Sequence, residues 1–437
     1  MRVVIAGQGR VGLPLAVRAA EVGHQVVGYD VDERRIERLA AGEPYVGDIP
    51  AERLRPLLEN GTYLPSAEPG DVAGFDIAVI TVPTPLRDGV PDLSPIEASA
   101  RLLSRHLRPG ATVVLESTTY PGTTEELLAP VLEEGSGLTA GRDFHLGYSP
   151  ERIDPGNPTW RLENTPKVVS GIDPAALAAV EGFYGRLVER TVPVSSCKEA
   201  ELTKLLENTF RHVNTALVNE LAMFAHDLGI DVWEAIDAAS TKPFDYLRFT
   251  PGPGVGGHCL PLDPSSLPWR VERALGRSFR FVELANDVNS HMPDYVVRRL
   301  AAALSDRQRP VNGSRVLLLG LAYEKDTGDA RETPAARVAE LLTRMGAEVR
   351  AADPHVVVGV HVPEPVVPGR PAAEQDRHDD PFAAVRRVEA TPEELAAADA
   401  VVLLADHDDF DHESVTTHAR YVLDCRRRLS GATVEVL

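Results

Sequence analysis

The stretch RVVIAGQGRVGLPLAVRAAEVGHQVVGYDVD, residues 2–32, limits the fold more than any other part of the chain. Its apolar run Val3–Ala6 reads as a strand buried on both faces, which requires a sheet covered on both sides. Gly7, Gly9 and Gly12 follow in G-x-G-x-x-G spacing and open a helix. The first permits a tight turn, the second lets backbone approach a pyrophosphate, and the third packs helix on strand. The helix N-terminus adds its partial positive charge. Asp30 closes the next strand, where a carboxylate accepts hydrogen bonds from the adenosine ribose hydroxyls and repels a 2′-phosphate. The spacing therefore predicts NAD rather than NADP.

Further strand candidates at 75–83, 111–117 and 145–150 alternate with helical segments and predict a parallel, doubly wound sheet ending near residue 195. Between Lys198 and Leu228 there is neither glycine nor proline, and Leu202, Leu205, Leu206, Val213, Leu217 and Leu221 recur at helical spacing. Ser196 and Glu199 form an S-x-x-E capping box and Gly229 is a stop, so this is one long helix. A second helical region follows, and from residue 314 the strand–helix rhythm resumes, with strands in 314–323, 347–354, 398–410 and 420–427. Residues 356–390, proline-rich and without a period, read as a long surface loop. The fold class expected is α/β: two doubly wound, Rossmann-like parallel-sheet domains (1–195 and 306–437) joined by a central helical domain (196–305). A helix of that length seldom stays solvated, which predicts a homodimer built on it.

The formal net charge of −20 argues against nucleic acid or an anionic membrane as a partner. With no apolar run of membrane-spanning length and no secretory pattern at the N-terminus, the expectation is a cytoplasmic protein. Cys197, Cys259 and Cys425 are too scattered for a disulfide framework or a zinc spacing, so no metal is expected from them. Only Lys167, Lys198, Lys204, Lys242 and Lys325 are lysines among 45 basic residues, which singles out each of them.

In PGPGVGGHCLPLDP, residues 251–264, Cys259 follows backbone-permissive residues, and such loops approach ligands more readily than a packed strand does. Asp263 lies four residues on, and Lys204 and Asn208 share a helix face at i, i+4 spacing. A nicotinamide cofactor together with a nucleophilic cysteine suits oxidation of an alcohol to a carboxylate. The cysteine traps the aldehyde as a thiohemiacetal, and a second hydride leaves to give a thioester that water cleaves.

These residues resemble the UDP-glucose/GDP-mannose dehydrogenase family over essentially the whole chain. The matching segments are GQGRVGLPLA, VPTPL, ESTTYPGTT, GYSPERIDPGN, AELTKLLENTFR, PGPGVGGHCLPLDP and GLAYEKDTGDARETPA, in the family's order. The resemblance implies oxidation of a nucleotide-sugar C6 alcohol to a uronic acid with two NAD per turnover. It makes Cys259 the nucleophile, Lys204 the stabiliser of the developing oxyanion, and Asp263 an acid–base group. Asn208 would position substrate, Glu151 would serve thioester hydrolysis and Thr119 would hold water. Gly7, Gly9, Gly12, Asp30, Pro83, Thr84 and Thr118 would hold NAD, with Arg331 reaching to it from the C-terminal domain. Arg248, Gly256, Gly257, Glu324 and Arg426 (or Arg427) would face the nucleotide sugar.

The motifs are most similar to the UDP-N-acetylglucosamine 6-dehydrogenase branch, with two departures. Asp245 stands where that branch has glycine, and Glu324 replaces the first lysine of a lysine pair. UDP- or dTDP-glucose in an actinobacterial natural-product pathway is the alternative. A β-hydroxyacid dehydrogenase would need neither the cysteine nor a third domain, and a retired nucleotide-sugar or NAD binder would need none of the cysteine chemistry.

Overall fold

The computed structural model describes the chain except residues 88–89, 155–156, 158, 258–269, 272, 274, 357–381 and 384. Its described residues form two compact units, Met1–Glu207 and those from Asn208 onward, and the division falls inside one helix, Cys197–Asp227.

In the first unit the strands are β1 (Arg2–Ala6), β2 (Gln25–Tyr29), β3 (Tyr63–Ser66), β4 (Ile77–Ile80), the small hairpin β5 (Leu86–Arg87) and β6 (Val90–Pro91), β7 (Thr112–Leu115), β8 (His145–Tyr148), β9 (Lys167–Gly171) and β10 (Thr191–Pro193). Eight of them make one sheet in the order β10-β9-β8-β7-β4-β1-β2-β3. The pleat explains the unbroken apolar run of β1. Val3 and Ile5 enter one core layer and Val4 the opposite one, so both faces must be apolar.

The doubly wound parallel sheet is as expected, with one antiparallel pairing in it. The strands are parallel from β3 to β8, but β9 pairs antiparallel with β8, and β10 then runs parallel to β9. A parallel return requires a helical crossover, and no helix lies among the described residues between β8 and β9.

In the second unit β11 (Arg315–Leu319), β12 (Glu348–Ala352), β13 (Arg386–Arg387), β14 (Ala400–Leu403), β15 (Val422–Asp424) and β16 (Val434–Val436) form a parallel sheet in the order β13-β12-β11-β14-β15-β16. Val316 and Leu318 face one layer, Leu317 and Leu319 the other. β13 lies inside the segment expected to be loop, and two residues are too few to carry a readable period.

The long helix begins at the expected cap residue, with a side-chain link between Ser196 and Glu199 in place of the reciprocal backbone bonds of a capping box. The Ser196 hydroxyl accepts the Lys198 N–H at 3.2 Å and donates to the Glu199 carboxylate. It ends before Gly229, whose φ of +71° suits a left-handed stop. Of its leucines, Leu205 is fully buried while Leu206, Leu217 and Leu221 stay exposed, as do Phe210, Phe224 and Leu228. Among the described residues no helix is long and apolar enough to cross a membrane.

Candidate active site

In the first unit the motif residues gather because of strand order. Gly7 follows β1, Asp30 follows β2, Pro83 and Thr84 follow β4, Thr118 and Thr119 follow β7, and Glu151 follows β8. These five strands are adjacent and parallel, so their turns line a single carboxyl edge, where doubly wound sheets bind ligands.

Gly7 has φ +98°, and a Cβ there would lie 2.9 Å from the Thr81 carbonyl oxygen. A Cβ on Gly12 would come within 1.8 Å of the Gly7 carbonyl oxygen. Both glycines are thus demanded by the turn itself. At Gly9 an added Cβ meets nothing within 4 Å, so that side is open to a phosphate. Asp30 is buried. Its Oδ2 accepts the Gln8 N–H at 2.8 Å and its Oδ1 the Asp32 N–H at 3.0 Å, which leaves acceptor capacity for a ribose hydroxyl. Arg35 is drawn between Asp30 at 3.4 Å and Asp32 at 3.8 Å, so its charge is directed to two carboxylates. The open face at Gly9 and the carboxylate at Asp30 fit NAD.

The next two turns are tied together. The Thr84 hydroxyl donates to the Thr118 carbonyl at 2.8 Å and the Ser117 hydroxyl to the Val82 carbonyl at 2.6 Å. Thr119 and Thr123 are buried with their hydroxyls 2.6 Å apart. Because Thr123 spends its proton on the Tyr120 carbonyl at 2.8 Å, Thr119 is the donor of the pair and keeps its lone pairs for a water.

The SPER turn is clamped to the long helix by two ion pairs. Glu151 Oε2 lies 3.2 Å from Lys204 Nζ, both side chains nearly buried. Arg152 reaches Glu207 at 2.6 Å and also donates to the Pro166 carbonyl at 2.6 Å. Consecutive turn residues thus pair with helix residues one turn apart. Asn208 sits one further position along the helix and is buried.

Beneath this turn lies a group that the sequence did not assign. Lys167 is buried on β9 and ion-paired with buried Glu116, and it donates to the Pro150 carbonyl at 2.9 Å, next to Glu151. The Tyr184 hydroxyl donates to the other Glu116 oxygen at 2.6 Å. The scarcity of lysine was the available signal.

Glu201 is a second buried carboxylate on the helix. It accepts the Gly122 N–H at 2.5 Å, the Thr124 N–H at 2.9 Å and the Thr124 hydroxyl at 2.7 Å. Burial pushes its carboxyl up to about 7, against the pull of those donors. The folded state therefore holds a proton that the unfolded chain releases above its ordinary value. That stability, on the order of 3 kcal/mol, is fully present below about pH 4.5 and lost as pH rises through about 7. Denaturant midpoints at pH 5 and pH 8 should fall more steeply for the natural protein than for Glu201→Gln. Equal falls in both would disprove the assignment.

In the second unit, residues 251–257 run against the loop after β11. The Gly257 N–H donates to the Arg331 carbonyl at 3.1 Å. A Cβ on Gly256 would meet Tyr323 Cβ at 2.6 Å, and one on Gly257 the Tyr323 ring at 2.9 Å. Close packing on Tyr323 is what requires these glycines. The Gly252 N–H is held by Asn219 at 2.9 Å, and a Cβ on Gly252 would meet Arg426 at 2.9 Å. Arg426 is anchored through Nε to the Leu404 carbonyl at 2.7 Å.

Arg331 forms a two-pronged pair with buried Asp329, at 2.9 and 2.7 Å. Arg248 and Arg427 share Asp237 at 2.9 and 2.6 Å, and Glu324 is exposed. Asp245 has φ +56°, so it keeps the left-handed backbone that a glycine would supply, and aspartate is among the residues that tolerate it. Cys259 and Asp263 lie outside the described residues. The other two cysteines, Cys197 and Cys425, are buried, and burial pushes each thiol up to about 12.

Comparison with known proteins covers the whole chain. Residues 1–188 match the UDP-glucose/GDP-mannose dehydrogenase family NAD binding domain, 198–291 its central domain and 317–431 its UDP binding domain. The chain is 36% identical over 357 residues to a UDP-N-acetyl-D-mannosamine dehydrogenase of Pyrococcus horikoshii, covering 82% of this chain and 84% of that one. It is also 36% identical over 358 residues to a UDP-N-acetyl-D-glucosamine 6-dehydrogenase of Pseudomonas aeruginosa, covering 82% and 83%. A solved UDP-D-ManNAc dehydrogenase structure from Pyrococcus horikoshii superposes with TM-score 0.86 at 32% identity, covering 100% of this chain and 99% of that one.

Proposed function

Because this chain belongs to the UDP-glucose/GDP-mannose dehydrogenase family of NAD-dependent nucleotide-sugar oxidoreductases, we propose that it oxidises the C6 alcohol of a UDP-N-acetylhexosamine, UDP-N-acetylglucosamine foremost, to the uronic acid. The balanced change is alcohol plus two NAD⁺ plus water to carboxylate, two NADH and three protons. The Gly7–Gly12 turn, Asp30, Pro83, Thr84 and Thr118 would hold NAD, which when bound would supply the hydride acceptor for both oxidations.

The chain's own groups do the rest. Cys259 adds to the aldehyde carbon and forms the thioester. Lys204, a cation fixed by Glu151, stabilises charge on the sugar oxygen. Asn208 positions the sugar, and Asp263 exchanges protons. Thr119 holds the water that Glu151 directs at the thioester. The Glu151–Lys204 pair carries this reading: a buried ion pair adds little stability, so one at the ligand edge of a sheet points to chemistry. Burial raises the thiols of Cys197 and Cys425 and makes them poor nucleophiles, and the nucleophile role of Cys259 follows from the family motif. Two relatives named for N-acetylhexosamine substrates support the sugar class.

The test is NADH formed per nucleotide sugar consumed, with UDP-GlcNAc, UDP-ManNAc, UDP-glucose and dTDP-glucose compared by kcat/KM. Two NADH and a uronate are expected; one NADH would end the four-electron mechanism, and none with any sugar would favour a binding protein. UDP- or dTDP-glucose is the second reading, because Glu324, which is exposed, replaces a lysine of the N-acetylglucosamine branch.

The three-part division 1–195, 196–305 and 306–437 belongs to the same proposal, as does a homodimer. The exposed apolar residues Phe210, Leu217, Leu221 and Phe224 recur along one helix at spacings of three, four and seven, with Leu228 just past its end, a stripe that a second copy would cover. Leu221→Glu with Phe224→Glu should halve the mass measured by light scattering; an unchanged mass would remove the helix from the interface.

A further inference from the structure

We propose that the carboxyl edge of the second sheet binds one divalent transition-metal ion of the zinc class through Asp326, His355, His407 and Asp409. The four residues sit in the turns after β11, β12 and β14, three neighbouring strands. One ligand atom each from Asp326, His355 and His407 lies within 4.8 Å of the other two, and among the described residues no other group of three His, Cys, Asp or Glu does this. Asp326 Oδ1 stands 3.9 Å from both His355 Nε2 and His407 Nδ1. Asp409 Oδ2 stands 3.4 Å from His355 Nε2. Neighbouring ligands on a tetrahedral zinc with bonds of ~2.0–2.1 Å are roughly 3.3 Å apart, so Asp326 must close on each histidine by about half an ångström, and the two histidines, within 4.8 Å, on each other by up to about 1.5 Å.

Three further observations favour an ion over a simple polar cluster. His355 Nε2 is a buried atom that makes no hydrogen bond to any described residue, although carboxylates surround it. A cation gives that lone pair a partner that the carboxylates can share. His407, fully buried, has its Nε2 3.1 Å from Asp353 Oδ2. Asp353 is itself fixed by the N–H groups of Leu321, Ala322, His355 and Val356 at 2.6–3.0 Å. A carboxylate behind a histidine sets its tautomer and aims the other nitrogen, as second-shell groups do around metals. Here that nitrogen is Nδ1, facing Asp326. Finally, Asp326 Oδ1 is held by the Asp408 N–H at 2.8 Å, and the residue has φ +54°.

Two interactions compete. Nδ1 of His407 accepts the Asp326 N–H at 2.8 Å, a bond the ion must displace. Lys325 approaches Asp326 at 3.8 Å, but it is engaged more closely by Asp408 at 2.7 Å. Two imidazoles with two carboxylates exclude magnesium and calcium, which prefer all-oxygen sites, and suit zinc, cobalt or nickel. The bound ion would brace three loops of the second unit.

The experiment is titration of the chelator-stripped full-length chain with Zn²⁺ by calorimetry, and with Co²⁺ by absorption. One equivalent per chain is expected, with a Co²⁺ spectrum free of a thiolate charge-transfer band and a higher Tm with metal. Asp326→Asn, which preserves the left-handed backbone, and His355→Gln should each weaken binding by at least about tenfold. Cys259→Ser should leave it unchanged. No binding at about millimolar Zn²⁺, unchanged affinity in both variants, or a thiolate band would each overturn the site. Circular dichroism of the variants separates loss of a ligand from loss of fold.

Discussion

Cys259→Ser is expected to lose on the order of a thousandfold or more in kcat for uronate formation, while binding NAD with little change. A serine oxygen adds to the aldehyde, but its ester resists hydrolysis far more than a thioester, and the neutral hydroxyl is the poorer nucleophile. Stopped-flow absorbance of NADH, with mass spectrometry of the protein, would show slow first-step oxidation or an accumulating ester adduct. Full uronate production by the variant would refute Cys259 as the nucleophile. Lys204→Ala supplies the contrast, since it removes a charge and leaves the covalent route intact.

The second large effect is on stability. Lys167→Met should destabilise the protein by about 3–5 kcal/mol, because it leaves the Glu116 carboxylate buried without its cation. For a unit of this size that corresponds to a fall of roughly 10 °C in Tm. Tyr184 alone cannot replace the charge: burial first, then Glu116, raises its hydroxyl well above the usual range, so it stays a neutral donor. The double variant Lys167→Met, Glu116→Gln should recover much of the loss by calorimetry. If the double variant is no more stable than the single one, the pair is not the cause. Since Lys167 also holds the Pro150 carbonyl, kcat should fall alongside Tm.

The two predictions differ in how far local sequence reaches. Gly7, Gly12 and Asp30 were legible because a dinucleotide turn is a short-range object: each glycine answers to backbone within the same strand–turn–helix unit or the adjoining strand. The long helix was legible for the same reason, from its cap at Ser196 to its stop at Gly229. Asp245 shows the limit of such reading. As a letter it is a departure from glycine, but its φ of +56° shows the backbone conformation retained.

Thr119 and Glu151 entered only through the family resemblance, while by itself the sequence determined most of the strands and helices and the dinucleotide turn. Those properties depend on periods and turn preferences spanning a few residues. Tertiary structure decided that β9 runs against β8, that Lys167 meets Glu116, and that Asp326, His355, His407 and Asp409 converge. These groups are far apart along the chain, and only strand order and register bring them together. The neighbours that side chains acquire across a sheet leave no local period to read.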